Sequence, residues 1–179
     1  LFALALVLVC TNSPAIAGQN DARLTDLFER LQSTEDKAEA QEIEGTIWEL
    51  WTTSDNPKVN QAMLMGITSM HAGQFKTALD KFTEVIELAP GFAEGWNKRA
   101  TVFYLMRNFD KSVNDIAQTL ILEPRHFGAL AGLGLINQAM GKTYAAIEAF
   151  EHALGLNPHL FGLKDKVREL KKLNLGQKI

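Results

Sequence analysis

Cysteine is nearly absent from this chain. Its one thiol, Cys10, excludes an internal disulfide and a multi-cysteine metal site. Excess charge is absent as well: 18 basic and 21 acidic residues leave a net charge of −3. That balance gives neither nucleic acid nor an anionic membrane a reason to bind. No run of like charge is long enough to form a solvated tail. The apolar run from Leu1 to Val9 falls well short of the roughly 20 residues that span a bilayer. What is present is ordinary for one globular domain of 179 residues, with 46% hydrophobic and 22% charged side chains.

The first segment reads LFALALVLVCTNSPAIA. An apolar stretch, a polar patch and the small-x-small triplet Ala15-Ile16-Ala17 have the layout of a secretory signal peptide over residues 1–17. The expectation is cleavage before Gly18 and an exported protein, periplasmic in a Gram-negative host. Left uncleaved, the segment would serve as a weak membrane anchor.

Pro90, Pro124 and Pro158 each close a segment and lie 34 residues apart. The segments are GITSMHAGQFKTALDKFTEVIELAP, WNKRATVFYLMRNFDKSVNDIAQTLILEP and LAGLGLINQAMGKTYAAIEAFEHALGLNP. Each shows two stretches of helical periodicity, such as Phe82, Val85, Ile86 and Leu88. A proline follows the second stretch and cannot continue it. This resembles the tetratricopeptide-repeat (TPR) family, with its pattern W-x2-L-G-x2-Y, A-x3-F and P. The Trp position holds Ala62, Trp96 and Leu130, and the adjoining Leu position Met65, Arg99 and Leu133. The Gly position holds Gly66, Ala100 and Gly134, and the Tyr position Ser69, Phe103 and Asn137. The second helices carry Ala78, Ser112 and Ala146 at the small position, and Phe82, Ile116 and Phe150 at the Phe position. The resemblance implies an all-α, right-handed superhelical solenoid of antiparallel helix pairs, with repeats at 57–90, 91–124 and 125–158.

Upstream, two helices are expected over Asp21–Leu31 and Thr34–Thr52, forming an N-terminal cap at 18–56. Their stripes are Leu24, Leu27, Phe28, Leu31 and Ile43, Ile47, Trp48, Leu50, Trp51. Extending the repeat register backwards puts Phe28, Leu31 and Trp48 in the Trp, Leu and Phe positions, but Glu44 and Trp51 in the small ones. The segment is at most a degenerate repeat. Downstream, Phe161, Leu163, Val167, Leu170 and Leu173 mark a C-terminal capping helix within 159–179, ending near Gly176.

No catalytic motif is present, so the reading is of a non-enzyme. His71, His126, His152 and His159 form no metal-ligand pair. Gly132-Leu133-Gly134 lacks the rest of a phosphate loop. No cofactor and no metal are expected. Trp48 and Trp51 read as packing residues before a ligand cage.

The resemblance implies a binding role for the concave face formed by the first helices of each pair. The groove positions it assigns include Met63, Ile67, Met70 and His71 in the first repeat, Asn97, Thr101, Tyr104 and Leu105 in the second, and Leu135 and Gln138 in the third. Asn60, Glu94, Gly128, Ala131 and Ala139 complete the set. Met63 and Ile67 stand where some family members place residues that clamp a carboxylate, so an acidic C-terminus is not the expected ligand. An apolar, Met-bearing surface suits a partner helix or extended peptide. The rival readings are a groove filled by the chain's own termini, a self-associating structural subunit of an envelope complex, and a small helical enzyme. The signal-like start, the Trp-bearing acidic helix and the run Pro124–Leu130 resemble small exported TPR proteins of Gram-negative, particularly alphaproteobacterial, cells.

Overall fold

The computed structural model describes residues 18–176, with side chains through Leu173. The expected signal segment lies outside the described residues. A short 3-10 turn, Gly18–Asn20, leads into nine α-helices among the described residues, and no strand occurs there. They are α1 (Arg23–Ser33), α2 (Lys37–Thr52), α3 (Pro57–His71), α4 (Phe75–Leu88), α5 (Ala93–Leu105), α6 (Phe109–Leu122), α7 (Phe127–Ala139), α8 (Thr143–Leu156) and α9 (Leu163–Gly176).

Local chemistry sets the boundaries. Asp36 caps α2 by accepting from the Ala38 amide at 2.8 Å. Asn56 caps α3, and Pro57 fills its first position, where no amide hydrogen is needed. Gly73 and Gly141 take φ of 70° and 72° in the turns that fold α4 back on α3 and α8 on α7. The middle repeat makes the same left-handed turn with Arg107.

Helices pair where a small residue meets a ring. A Cβ on Gly66 would lie 2.5 Å from a ring carbon of Phe82, and one on Gly134 would lie 2.3 Å from Phe150. The middle pair uses Ala100, whose carbonyl accepts from the buried Ser112 hydroxyl at 2.7 Å. The pairs α3–α4, α5–α6 and α7–α8 stack in sequence, and α9 covers the last with Leu163, Val167 and Leu170. Phe161 is not part of that apolar face. It sits in the turn before α9 and is fully exposed, as the turn through Gly162 directs it away from the helix seam. Leu173, one helical turn beyond Leu170, also faces solvent.

The N-terminal pair departs from the solenoid pattern. Its helices begin at Arg23 and Lys37, two to three residues later than expected, because Asp21 and Asp36 serve as capping acceptors. More important, α1–α2 forms its own core with Phe127 of α7, Leu156 at the end of α8 and Leu160 in the link to α9. It does not extend the stack beyond α3 as a degenerate repeat would. It folds back across the N-terminal ends of α5 and α7.

Candidate functional site: the concave face and the clasp over it

The described first helices α3, α5 and α7 line one face, and the positions assigned to the groove divide into two halves. The half at the N-terminal ends of α5 and α7 is covered. Trp48 lies against Gly128, where an added Cβ would be 2.6 Å from its ring. The Lys98 ammonium sits over the Trp48 ring at 5.4 Å. Trp51 stacks on the His126 ring at 4.2 Å with nearly parallel planes, and both rings are buried. At the margins, the Gln32 amide donates to the Gly155 carbonyl and Asn157 donates to Glu44, while Gln19 reaches the Gly91 carbonyl.

Under this cover lies a buried polar cluster that sequence reasoning missed. Glu94 and His126 are essentially unexposed, with Glu94 Oε2 2.8 Å from His126 Nε2. His126 Nδ1 accepts the Ala129 amide at 3.0 Å and so caps α7. That bond leaves Nδ1 without a hydrogen, which places the ring proton on Nε2, donated to Glu94. Asn97 also donates to Glu94 Oε2 at 2.9 Å, and Lys98 Nζ stands 2.8 Å from Oε1. Burial pushes the Glu94 carboxyl up, but the Lys98 charge and the His126 bond outweigh it and hold it at about 2, below its ordinary 4.5. The set contains three ionisable groups within hydrogen-bonding reach, and its amide member, Asn97, borders the cavity between α5 and α7. It joins α5 to α7. The one signal for it was a charged residue, Glu94, at an inward repeat position 32 residues before His126.

The other half is open. A cavity of about 290 Å3 lies between α5 and α7, walled by Thr101, Tyr104, Leu105, Ala131 and Leu135, with Gly132 on α7 completing it. Its lining carries no charged side chain. Gly128 belongs both to this cavity and to the Trp48 contact, so α2 ends where the cavity begins. Leu105 is itself 46% exposed at the end of α5.

The assigned residues therefore fall into distinct surroundings. Tyr104, Leu105, Leu135 and Thr101 come together at the cavity. Thr101 donates to the Asn97 carbonyl of its own helix, which leaves its hydroxyl oxygen as an acceptor. Met63 does not line an open groove: it is 3% exposed and packs with Val59 and Phe82 of the first repeat and Val102 of the second. Asn97 borders the cavity but is nearly buried, with its amide committed to Glu94. Ile67 and Met70 lie half-buried against the first core, and His71 is exposed at the end of α3. Gln138 is exposed and accepts from Lys166 of α9 at 3.4 Å. Asn60 bonds both backbone groups of Ser54 and anchors the α2–α3 link. No cluster of three or more metal-ligating side chains occurs among the described residues.

No protein-family profile matches the chain. Individual proteins do. The chain is 36% identical over 136 residues to a TPR repeat-containing protein of Rhizobium etli, spanning 76% of this chain and 67% of that protein. It is 25% identical over 139 residues to small glutamine-rich tetratricopeptide repeat-containing protein 2 of Saccharomyces cerevisiae, of which it spans 40%. Among solved structures, the first TPR of Spaghetti (RPAP3), bound to the HSP90 peptide SRMEEVD, superposes with a TM-score of 0.64 at 20% identity. That match covers 68% of this chain and 96% of that one. The Sgt2 TPR domain of Aspergillus fumigatus also gives 0.64 at 20% identity, covering 69% and 84%. The architecture is the all-α, right-handed superhelical solenoid anticipated above. With three helix pairs in register and a relative this similar over most of the chain, the protein belongs to the tetratricopeptide-repeat family.

Proposed function

We propose that this chain is a non-catalytic adaptor that receives an apolar segment of a partner protein, as a helix or extended peptide, in the open half of its concave face. The observation that carries this reading is the uncharged cavity between α5 and α7, walled by Tyr104, Leu105 and Leu135. A pocket of this kind supplies affinity through one or two apolar anchors. Nearby polar groups that could meet a partner backbone are the Thr101 oxygen and the exposed Gln138 amide.

A structural neighbour holds the peptide SRMEEVD, which carries three acidic side chains. The open cavity here is unsuited to such a ligand. Lys98 is already spent on Glu94, and Lys166 reaches Gln138. The partner segment is accordingly neutral and apolar.

Peptides selected against the full chain from a random display library test this. The expected set shares a large apolar anchor, lacks an acidic C-terminal signature, and loses at least about ten-fold in affinity on Leu135→Asp, a change that puts a charge into an apolar pocket. Helicity of the variant is checked alongside. Selection of acidic C-termini that ignore Leu135→Asp would overturn the reading.

We also propose that the protein acts after export, in the periplasm of a Gram-negative host. The support is the signal-like layout of residues 1–17. N-terminal sequencing from the native host should give Gly18 as the first residue; an intact leader on a cytosolic protein would refute it.

A further inference from the structure

We propose that the α1–α2 pair is a displaceable clasp: α2 occupies in cis the half of the concave face that a longer partner would use, and swings away on the link Thr53–Asn56. The proposal rests on the groove-binding reading and extends it to the covered half.

Four observations support exchange at this contact. First, the clasp covers binding positions themselves. Trp48 sits on Gly128 and beneath Lys98, at the N-terminal ends of the same helices that wall the open cavity. Second, the clasp is a separate packing unit. The repeats have their own apolar clusters; that of α1–α2 takes in Phe127 of α7 and shares Leu156 and Leu160 with the third repeat's cluster. The link to α3 is short and held at one point, by Asn60 on Ser54.

Third, departure of α2 strands no buried charge. Every partner of the Glu94 carboxylate (Lys98, Asn97 and His126) belongs to the solenoid and stays with it. Removing one member of a buried ionic set is strongly destabilising, and this geometry avoids that penalty. The bonds that do break are side-chain contacts at the margins, from Gln19, Gln32 and Glu44, all of which water can replace. Fourth, the docked state leaves a polar group unsatisfied: the buried Trp51 indole N–H has no partner among the described residues, and undocking would give it water. The remaining loss is the Trp51–His126 stack, the contacts of Lys98 with Trp48 and Arg125 with Phe28, and apolar contact at Phe127, which the aromatic and apolar face of a partner helix would restore.

Native-state hydrogen exchange on the full chain in low denaturant is the test. Amides of α1 and α2 should exchange through an opening with a smaller denaturant dependence than those of α5, α7 and α8, reflecting a smaller exposed surface. Gly128→Ala should then accelerate α2 exchange about ten-fold or more, since its Cβ would press on the Trp48 ring. In α7 itself the added helix propensity works in the opposite direction, so its amides should not accelerate. Exchange of α2 in one unit with α5 to α8, or no response of α2 to Gly128→Ala, would overturn the clasp. The groove reading is judged separately, by ligand-observed NMR with indole on wild type and Leu135→Asp. Indole bound by wild type alone, with a clasp that never opens, would leave that reading standing and remove this one. An opening clasp with no indole binding would remove the groove reading and, with it, the role of the clasp as a cover over a binding surface.

Discussion

At the scale of single residues, Gly66, Gly95, Gly128 and Gly134 inside helices are explained by the side chains that touch them, whereas Gly45 and Gly155 face open space. Gly134 lies under Phe150, which is fully buried and has no room to shift. Replacing it with alanine gains about 1 kcal/mol of helix propensity. The ring collision outweighs that gain, and a net loss of about 1–3 kcal/mol is expected from urea denaturation. Glu94 allows a prediction in pH. Its folded carboxyl titrates near 2, below the ordinary 4.5, so its contribution to stability is fully present above pH 4.5 and fades as pH falls towards 2. Glu94→Gln keeps the shape and removes the charge. The stability gap between wild type and this variant should be widest at neutral pH and shrink through that window. A gap that is constant with pH would mean that the carboxylate is not ionised in its buried site.

At the scale of helices, Arg99 shows how a repeat departs from its pattern without losing its packing. It stands at a position where the third repeat has Leu133. Its guanidinium makes a two-pronged contact with Asp115 of α6, at 2.7 and 2.9 Å, and reaches the Thr83 hydroxyl of α4. It also stacks on Trp96 and Phe103. Arg99→Leu alone would leave the nearly buried Asp115 unpaired and should lose about 3 kcal/mol. Arg99→Leu with Asp115→Leu should recover most of it, a double-mutant cycle read by thermal unfolding. The helix pairs themselves were legible in the sequence because local signals repeat: prolines 34 residues apart, small residues at crossings, apolar residues at helical spacing. The docking of α1–α2 was not, because nothing periodic announces a contact between residues far apart in the chain. Trp48 and Trp51 read correctly as packing residues, but the positions they pack against, Gly128 and His126, lie in the third repeat. The open cavity was legible at Asn97, Thr101, Tyr104, Leu105, Gly128, Ala131 and Leu135, which the repeat register places on one face, whereas Ser112, Ile116 and Ile136 were not assigned to it. The burial of Met63 and Asn97 depends on neighbours that the repeat pattern does not specify.

At the scale of the whole molecule, a solenoid must close its ends, since each pair buries its apolar face only against the next. Here α9 closes the C-terminal end with Val167 and Leu170. Val167→Asp together with Leu170→Asp should uncover the apolar face of α8 and produce concentration-dependent association in light scattering. Leu173→Asp, on the exposed side, should leave the scattering unchanged. A monomeric Val167→Asp, Leu170→Asp protein of wild-type stability would show that the end needs no cover. The N-terminal closure has a consequence in time. The clasp bonds with residues far later in the chain: Glu44 with Asn157 across 113 positions and Gln32 with Gly155 across 123. Synthesis at roughly 5–20 residues per second separates such partners by on the order of 5 to 25 s. Through that interval Phe28, Trp48 and Trp51 have been made and their docking surface has not. The stretch of chain that finishes the fold is thus translated well before the surface it docks on, and it waits, with its aromatic face uncovered, for the third repeat to arrive.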